Sequence, residues 1–452
     1  MVRAPAIGCV LLGATLLTAA CSGGSRLSPP HGVADVLALR SESVRYFFSG
    51  RPDGDLPTVG HLTFDRHGDL YGATSTGGTG TCKFRGTLTG CGTIFELRPS
   101  SKRTWSERVI YSFKNLGDGA GPYGTLSFDS AGHIYGVTMG GGNRGCVPLF
   151  WIYRGCGTAF ELMRSGNRHW TKRTLHVFSG AADGGNPVGG LVIDSSGNLY
   201  GTAYCGESQL QSCYTEGEGD GVFFELEPKK SGSWSEAVLH VFGRHLHDGL
   251  HPLGDLTVNA GKIYGTADNV YAMTRASSKS RWRFTQLFEF GDESSQGSYP
   301  NGGLAVDAAG NMYGTMGIGG NPSCDCGLIF ELHRVGGSLQ ETILHTFTGG
   351  SDGARPDGAL TIDSAGLLYG TTSNGGDLLC NNGGGCGVAF VLHPHGVDST
   401  ERVLHTFEDD ATDGGMPESA LVLVNAGSLY GTTEYGGKGP NLGDGTVFEI
   451  ER

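Results

Sequence analysis

"GNLYGT", residues 197–202, occurs seven times along this 452-residue chain with small changes. The other copies are "GDLYGA" (68–73), "GHIYGV" (132–137), "GKIYGT" (261–266), "GNMYGT" (310–315), "GLLYGT" (366–371) and "GSLYGT" (427–432). Their tyrosines are separated by 64, 65, 64, 49, 56 and 61 residues. Repeats of this length that are built from short strands predict propeller blades with insertions.

Each repeat contains four strand-like runs, which are clearest in the third copy. We name them a to d: "GGLVID" (189–194), "NLYGTA" (198–203), "GVFFEL" (221–226) and "AVLHVF" (237–242). The 80 glycines cluster between such runs, as expected for many strands joined by tight turns. No segment shows helical periodicity, so the sequence predicts an all-β protein.

The two ends of the repeat region predict a closed ring. The first repeat-like text, "SVRYFFSGRPDG" (43–54), matches strand d, and the last, "GTVFEIER" (445–452), is a strand c with no d after it. Pairing the first with the last would complete the seventh blade and remove the open edge. We therefore predict a seven-bladed β-propeller of four-stranded blades over residues 43–452.

The N-terminal segment has the features of an export signal. Arg3 precedes an apolar run, and small residues lead to Cys21, so residues 1–20 are interpreted as a signal peptide. "LLTAAC" (16–21) resembles a bacterial lipobox, which would make Cys21 lipidated, while ordinary cleavage near Ala20 is the alternative. Residues 21–42 are predicted to be a flexible tether. We expect an outer-membrane, periplasmic or cell-surface lipoprotein, or otherwise a secreted protein.

The repeat text also resembles a known family. The recurring text "LYGTTSxGGxxxxGxGxxFxL" resembles the GloVer-type (Gloeo/Verruco) tandem repeat family of bacterial surface proteins. The resemblance covers about 43–452. It implies a secreted protein with an exchangeable anchoring signal, and it implies no shared catalytic activity.

Charge and missing motifs narrow the possible functions. A formal net charge of −13 argues against electrostatic binding of nucleic acid or of an anionic membrane surface. The sequence has no G-x-S-x-G elbow, H-E-x-x-H motif, P-loop or Rossmann fingerprint. We expect a monomer with no cofactor, no nucleic-acid partner and membrane contact only through the N-terminal lipid.

Ten cysteines form five local couples, each between strands b and c. In an exported protein this pattern predicts disulfide bonds that close the b–c loops, and a zinc site is the competing interpretation. The couples are Cys82/Cys91, Cys146/Cys156, Cys205/Cys213, Cys324/Cys326 and Cys380/Cys386. The gap of one residue between Cys324 and Cys326 leaves their mutual bond open.

Two residue types recur with the repeat. The d–a loops carry an aspartate before a proline: Asp53, Asp118, Asp183, Asp248, Asp292, Asp352 and Asp413. We interpret these as turn residues that accept backbone N–H groups, with cation binding or hydrolysis as the alternative. Strand d carries His176, His240, His345 and His405 where other repeats have Tyr46, Tyr111 and Phe288. Exchange with Tyr and Phe favours a packing role over metal or general-base chemistry.

Loops that depart from the repeat are better candidates for function. "CVPLFWIYRGC" (146–156) holds Phe150, Trp151 and Tyr153 in an apolar run, which is typical of an exposed binding surface. The alternative is that this loop folds over the channel mouth or a neighbouring blade. The first b–c loop offers Lys83, Phe84 and Arg85, a set suited to an acidic glycan or peptide.

The sequence thus favours a binding or scaffold module whose partner is a glycan or surface protein. The alternative is a propeller enzyme of the polysaccharide lyase, glycosidase or lactonase type, with carboxylates, His or Tyr at the channel mouth. A structural envelope component is a third hypothesis, because propellers serve all three roles.

Overall fold

Every copy of the GNLYGT motif lies on the second strand of a four-stranded antiparallel sheet. The structure, a computed structural model, describes residues 41–451 except 58–59, 85, 101–104, 145, 147–152, 167–168, 207–220, 246, 278–279, 292–296, 298–299, 425–426 and 438–442. By its contacts the chain divides into Met1–Ala38 and Leu39–Arg452. The predicted signal peptide, the lipidation of Cys21 and the tether up to residue 40 lie outside the described residues.

The seven sheets are the blades of a seven-bladed propeller, each with strands in the order a-b-c-d, which confirms the predicted fold. Strands a are Thr63–Phe64, Ala120–Phe128, Val192–Ile193, Thr257–Asn259, Ala305–Val306, Thr361–Ile362 and Val422–Leu423. Strands b are Leu70–Gly77, Ile134–Gly140, Leu199–Ala203, Lys262–Thr266, Met312–Met316, Leu368–Thr372 and Leu429–Thr433.

Strands c and d are the two outer strands of each blade. Strands c are Thr93–Pro99, Thr158–Ser165, Val222–Pro228, Asn269–Thr274, Leu328–Val335, Val388–His393 and Thr446–Glu451. Strands d of blades 1 to 6 are Trp105–Ser112, His169–Val177, Trp234–Val241, Arg283–Glu289, Ser338–Thr346 and Thr400–Thr406.

The ring closes as predicted from the chain ends. Strand d of blade 7 is Ser41–Phe47, and it pairs antiparallel with Thr446–Glu451. An ion pair between Arg45 Nε and Glu449 Oε2, 2.5 Å apart, joins the two ends of the chain. Blade 7 is therefore built from both termini of the propeller, and closure leaves no open seam in the ring.

Short elements decorate the loops. Gly54–Pro57 extends blade 1, and two further ladders pair Lys83–Phe84 with Thr87–Leu88 and Gly414–Gly415 with Tyr435–Gly436. Among the described residues the only helical turns are the 3₁₀ segments Leu116–Asp118 and Asn381–Gly383. The all-β expectation holds over this part of the chain.

The GNLYGT motif has a structural role. Gly197 adopts a φ of +84° in the a–b turn, where an L side chain is disfavoured. Tyr200 is buried, and its hydroxyl donates to Asp194 Oδ2 (3.0 Å) and Glu225 Oε1 (2.7 Å). A Cβ on Gly201 would lie 2.5 Å from the ring of Phe224, so glycine is needed for the strand c side chain to cover strand b.

The hydrophobic core lies between neighbouring sheets. The motif tyrosine of one blade packs edge-on against a tryptophan from strand d of the next blade. These pairs are Tyr71–Trp170, Tyr135–Trp234, Tyr200–Trp282 and, across the closing seam, Tyr430–Trp105. The same contact therefore recurs at different seams, including the one that closes the ring.

Glycines bring the inner strands together around the axis. Gly254 shows why: a Cβ there would lie 2.7 Å from the carbonyl oxygen of Gly302 in the next blade. The equivalent positions are Gly60, Gly124, Gly189, Gly302, Gly358 and Ser419. The inner strands of neighbouring blades therefore approach each other closely at this ring.

Candidate functional site

The b–c and d–a loops share one face of the propeller, which we call the loop face, and the a–b and c–d turns share the other, the turn face. Four of the predicted disulfides are present on the loop face: Cys82–Cys91, Cys146–Cys156, Cys324–Cys326 and Cys380–Cys386. Cys205 is also disulfide-bonded, and Cys213, its predicted partner, lies outside the described residues. These bonds are consistent with an extracytoplasmic protein.

The described aspartates of the d–a loops accept backbone N–H groups, as the turn interpretation predicted, and Asp292 lies outside the described residues. Asp183 Oδ2 accepts from the N–H of Ser179 (3.0 Å), and Asp413 Oδ2 accepts from Glu408 (3.0 Å). The structure adds a contact that the sequence did not reveal. His176 Nε2 lies 3.1 Å from Asp183 Oδ2, and the strand d histidine of blade 6 approaches Asp413 in the same way.

These histidine–aspartate pairs lie at the seams between blades. Glu42 of blade 7 faces the pair His405/Asp413 of the preceding blade, and the ligand-type atoms of the three residues lie within 4.8 Å of one another. Burial raises the pKa of Glu42 to about 7. At the seam of blades 7 and 1, the hydroxyl of Tyr46 takes the place of the histidine and donates to Asp53 (2.8 Å). Because a tyrosine occupies the histidine position at this other seam, we interpret Glu42, His405 and Asp413 as a contact between blades.

The predicted loop site is described only in part. Tyr153 is buried, and its hydroxyl donates to the carbonyl oxygens of Ser75 (2.9 Å) and Gly90 (3.1 Å) in blade 1. For this residue the structure favours the alternative in which the loop folds over a neighbouring blade. Phe150, Trp151 and Arg85 lie outside the described residues. Lys83 is exposed on a two-residue strand that includes the backbone of Phe84.

The channel mouth on the loop face is the place where blades differ most. On blades 2 to 4 it is apolar and aromatic. Met139 and Val188 are buried there, with Tyr123, Tyr204 and Leu253 packed against them. Tyr204 also stacks on the imidazole of His251, with ring centres 4.5 Å apart and planes within 19°.

The opposite half of the mouth, on blades 5 to 7, carries carboxylates. Asp357 Oδ2 accepts from the hydroxyl of Ser373 (3.1 Å), and the amide of Asn301 lies 3.4 Å from its Oδ1. Burial, followed by repulsion from Glu434 and Asp357, raises the pKa of Glu418. Burial also raises the pKa of Glu434 and of Asp357.

The two halves face each other across the axis. Burial is the main cause of the raised pKa of Tyr123, and the negative charges of Glu418, Glu434 and Asp357 add to it. The hydroxyl of Tyr123 in blade 2 therefore interacts electrostatically with carboxylates of blades 6 and 7. We define the channel mouth as Tyr123, Met139, Val188, Tyr204, Leu253, Asn301, Asp357, Glu418 and Glu434.

The comparison with protein families agrees with the repeat pattern. The model of the Gloeobacter/Verrucomicrobia repeat matches residues 79–276 and 215–448, which together span most of the chain. The chain belongs to this family. No curated protein matches it. Among the described residues, no helix has the length and apolar character that a membrane crossing requires.

In this Gloeobacter/Verrucomicrobia repeat protein the mouth residues come from two positions of the repeat. The residue after the d–a proline reads Tyr123, Val188, Leu253, Asn301, Asp357 and Glu418 in blades 2 to 7. The residue near the end of strand b reads Ser75, Met139, Tyr204, Gly317, Ser373 and Glu434 in blades 1, 2, 3, 5, 6 and 7. Sequence reasoning missed them because it singled out the b–c loops. Aligning the seven repeats and searching for variable positions next to invariant ones would have found them.

Proposed function

We propose that this protein is an extracytoplasmic binding module, attached to a membrane through a lipid on Cys21, that holds a glycan or protein ligand on its loop face. The disulfide bonds support export, because they form and persist in oxidising compartments. The signal-like N-terminus and Cys21 support the lipid anchor.

The observation that carries this proposal is the asymmetry of the channel mouth. Ligand sites combine an apolar wall with a few convergent polar groups. Here Tyr204, stacked on His251, and Met139 form the wall, and Asp357 and Glu418 are the polar groups opposite. A sugar ring or an amphipathic peptide likewise has one apolar side and one side with polar groups. The apolar side would pack on the tyrosine, and the hydroxyl or amide groups would reach the carboxyl groups.

The loop 146–156 extends the same surface in this proposal. Tyr153 anchors one end of the loop beside the mouth, since a Cβ on Gly140 would lie 2.5 Å from the Cβ of Tyr153 and Gly140 follows Met139 directly. Phe150 and Trp151 precede Tyr153 by three and two residues. Three residues span at most about 10 Å, and on this chain distance alone we include both residues in the proposed ligand surface.

A glycan array probed with the purified protein, followed by calorimetry on the strongest hit, tests the proposal. We expect Tyr204→Ala and Glu418→Gln each to weaken binding about tenfold or more. Phe150→Ala with Trp151→Ala should also weaken it if the loop takes part. Arg334→Ala, on the turn face, is the control and should bind like the wild type. Array hits whose affinity is unchanged in all mouth and loop variants would contradict the proposed site.

One observation favours a second candidate, an enzyme acting on a polysaccharide or lactone. A carboxyl group whose pKa is raised by burial and by a neighbouring carboxylate is the kind of group that serves as a general acid. Glu418 beside Glu434 has these properties. Product analysis of every array hit incubated with the protein separates the two functions. Turnover that is lost in Glu418→Gln while ligand binding persists would favour the enzyme.

A further inference from the structure

The turn face carries a second feature that the channel mouth does not explain. A cleft of about 700 Å³ lies between blades 1 and 2, lined among others by Phe64, Arg66, Arg98, Phe128, Arg164 and Trp170. We call it the turn-face cleft. Its volume falls within the range of about 300–1,000 Å³ typical of small-molecule sites. It lies at the opposite end of the blades from the disulfide loops.

The aromatic residues of the cleft are departures from the repeat. Phe64 and Phe128 occupy the last core-facing position of strand a in blades 1 and 2, and both are half-buried. The other blades have aliphatic residues there: Ile193, Val258, Val306, Ile362 and Leu423. The two exceptions are on adjacent blades and line the same cleft. Packing of the blades does not require phenylalanine at this position, because five blades do without it.

The adjoining a–b turn is also exceptional. In blade 1 it contains Arg66 and His67, whereas the turns of blades 2, 3, 5 and 6 have only serine or alanine at the equivalent positions. Both residues are exposed, and Arg66 Nε lies 3.2 Å from His67 Nε2. An arginine–histidine pair at the rim of a cleft, on a turn that elsewhere needs only small residues, has no structural purpose in the blade.

The charges of the cleft are not all balanced within the protein. Asp65 and Asp129 accept N–H groups of their own turns, and Arg98 is paired with Asp69 (3.0 Å) and Glu96 (2.8 Å). Arg66 and Arg164 are different. Among the described residues, neither has a carboxylate oxygen within 4 Å. In a chain with a formal charge of −13, two guanidinium groups without an ion pair to any described residue at one cleft favour an anionic ligand.

A buried donor also lines this cleft. Trp170 is only 7% exposed, and its Nε1–H has no hydrogen-bond partner among the described residues. The equivalent Trp282 Nε1–H at the seam of blades 3 and 4 has none either in the described part of the chain, so this unpaired donor is a feature of the repeat and does not distinguish the turn-face cleft. The guanidinium group of Arg164 lies over the indole ring of Trp170, with Cζ 5.8 Å from the ring centre.

The equivalent cleft between blades 3 and 4 shows how the repeat behaves without these departures. Arg275 occupies the position of Arg164, but its Nη2 lies 2.8 Å from Asp194 Oδ2 and its Cζ lies 4.7 Å from the ring centre of Trp282. Glu225 and Glu227 add negative charge to this cleft. Arg275 is therefore already paired with a carboxylate, unlike Arg164, although Arg281 also lines this second cleft.

We propose that the turn-face cleft binds a carboxylate-bearing sugar, a uronic acid unit of an acidic oligosaccharide. The planar guanidinium groups of Arg66 and Arg164 match a carboxylate in two-point geometry. Phe64 and Phe128 give the pyranose ring an apolar floor, and the rim carboxylates Asp65 and Asp129 accept its hydroxyl groups. This site is independent of the loop-face ligand, since the two sites lie at opposite ends of the blades.

Binding of uronate oligosaccharides to the purified full-length protein tests this inference. The probes are oligomers of galacturonate, glucuronate and mannuronate, each beside its methyl ester, which has the same sugar without the charge. We expect at least one acid to bind and its ester to bind at least tenfold more weakly. Arg66→Ala and Arg164→Ala should each weaken binding about tenfold, with an unchanged urea midpoint.

The repeat supplies matched controls. Arg334→Ala alters the equivalent arginine of blade 5, outside the cleft, and Glu418→Gln alters the channel mouth; both should bind the acid like the wild type. The inference is overturned if no uronate binds, if acid and ester bind equally, or if Arg66→Ala and Arg164→Ala leave the affinity unchanged. Loss of uronate binding only in the Glu418→Gln variant would also overturn it, by assigning the ligand to the loop face.

Discussion

The seams between blades 1 and 2 and between blades 6 and 7 are formed by the same part of the repeat, but they bury opposite charges. At the first, Lys172 Nζ lies 3.2 Å from Asp118 Oδ1, which also accepts the hydroxyl of Tyr111 (2.6 Å). At the second, Glu42 faces Asp413 and His405. Burial lowers the pKa of Lys172 and raises that of Glu42.

The difference shows two ways of burying a charged side chain beside the equivalent aspartates Asp118 and Asp413. A lysine is compensated directly by the carboxylate, and each group of the pair depends on the other. A glutamate repels the carboxylate and is tolerated because it can take up a proton. The seam of blades 3 and 4 avoids the problem, since Phe284 stacks on His240 with ring centres 3.8 Å apart. The position recurs in every blade, and it holds a glutamate in five of them, with Lys172 and Phe284 as the two exceptions.

Removal of Asp118 should give the largest effect. In Asp118→Ala the buried ammonium of Lys172, whose side chain is 3% exposed, loses its counterion. Breaking a buried pair from one side costs about 3–5 kcal/mol of unfolding free energy. Urea unfolding followed by tryptophan fluorescence measures the loss.

Asp413→Ala is the comparison variant at the other seam. It loses hydrogen bonds but also removes a negative charge that faces Glu42, so its loss should be smaller, about 1–3 kcal/mol. Equal losses in the two variants would show that the sign of the buried charge does not matter.

The disulfide of the second b–c loop should come next. Cys146 and Cys156, ten residues apart, hold the loop from which Tyr153 reaches blade 1. Replacing both by serine should cost about 2.5–3 kcal/mol on chain entropy alone. The Cys82–Cys91 bond closes a loop of nearly the same length, so the variant Cys82→Ser/Cys91→Ser is the control. A larger loss at 146/156 is expected because the seam contact of Tyr153 weakens as well; no loss would contradict a structural role for the bond.

The seam of blades 6 and 7, which contains Glu42, predicts that the stability of the protein falls as the pH rises. The pKa of Glu42 is raised from 4.5 to about 7, so its stabilising contribution is fully present below pH 4.5 and is lost as the pH rises through 7. The groups that face it are His405, Asp413 and Arg45. The glutamine in Glu42→Gln cannot ionise. At pH 8.5 the free energy of unfolding of this variant should exceed that of the wild type by about 1–2 kcal/mol, allowing for partial exposure of Glu42. The two proteins should be close at pH 4.5, and a gap that does not change with pH would refute the assignment.

The repeat made much of the fold predictable. Seven copies of GNLYGT count the blades, and a chain that starts on strand d and stops on strand c requires closure between Ser41–Phe47 and Thr446–Glu451. The cysteine couples are local in sequence, so their bonds follow without knowledge of the fold. Contacts that the ring creates could not be read in this way. Tyr123 and Glu418 meet only because blades 2 and 7 share an axis, and Glu42 meets His405 only after closure.

The tyrosine of the second b–c loop gives the smallest effect and the sharpest test of the first seam. Tyr153→Phe removes one hydroxyl that donates to the carbonyl oxygens of Ser75 and Gly90 and should cost about 1 kcal/mol. Tyr271→Phe is the matched control, because this buried hydroxyl has no hydrogen-bond partner among the described residues. It should leave the urea midpoint unchanged or raise it slightly, since an unsatisfied polar group is removed. If both variants lose the same stability, the effect belongs to burial of the ring, and Tyr153 does not tie blade 2 to blade 1 through its hydroxyl.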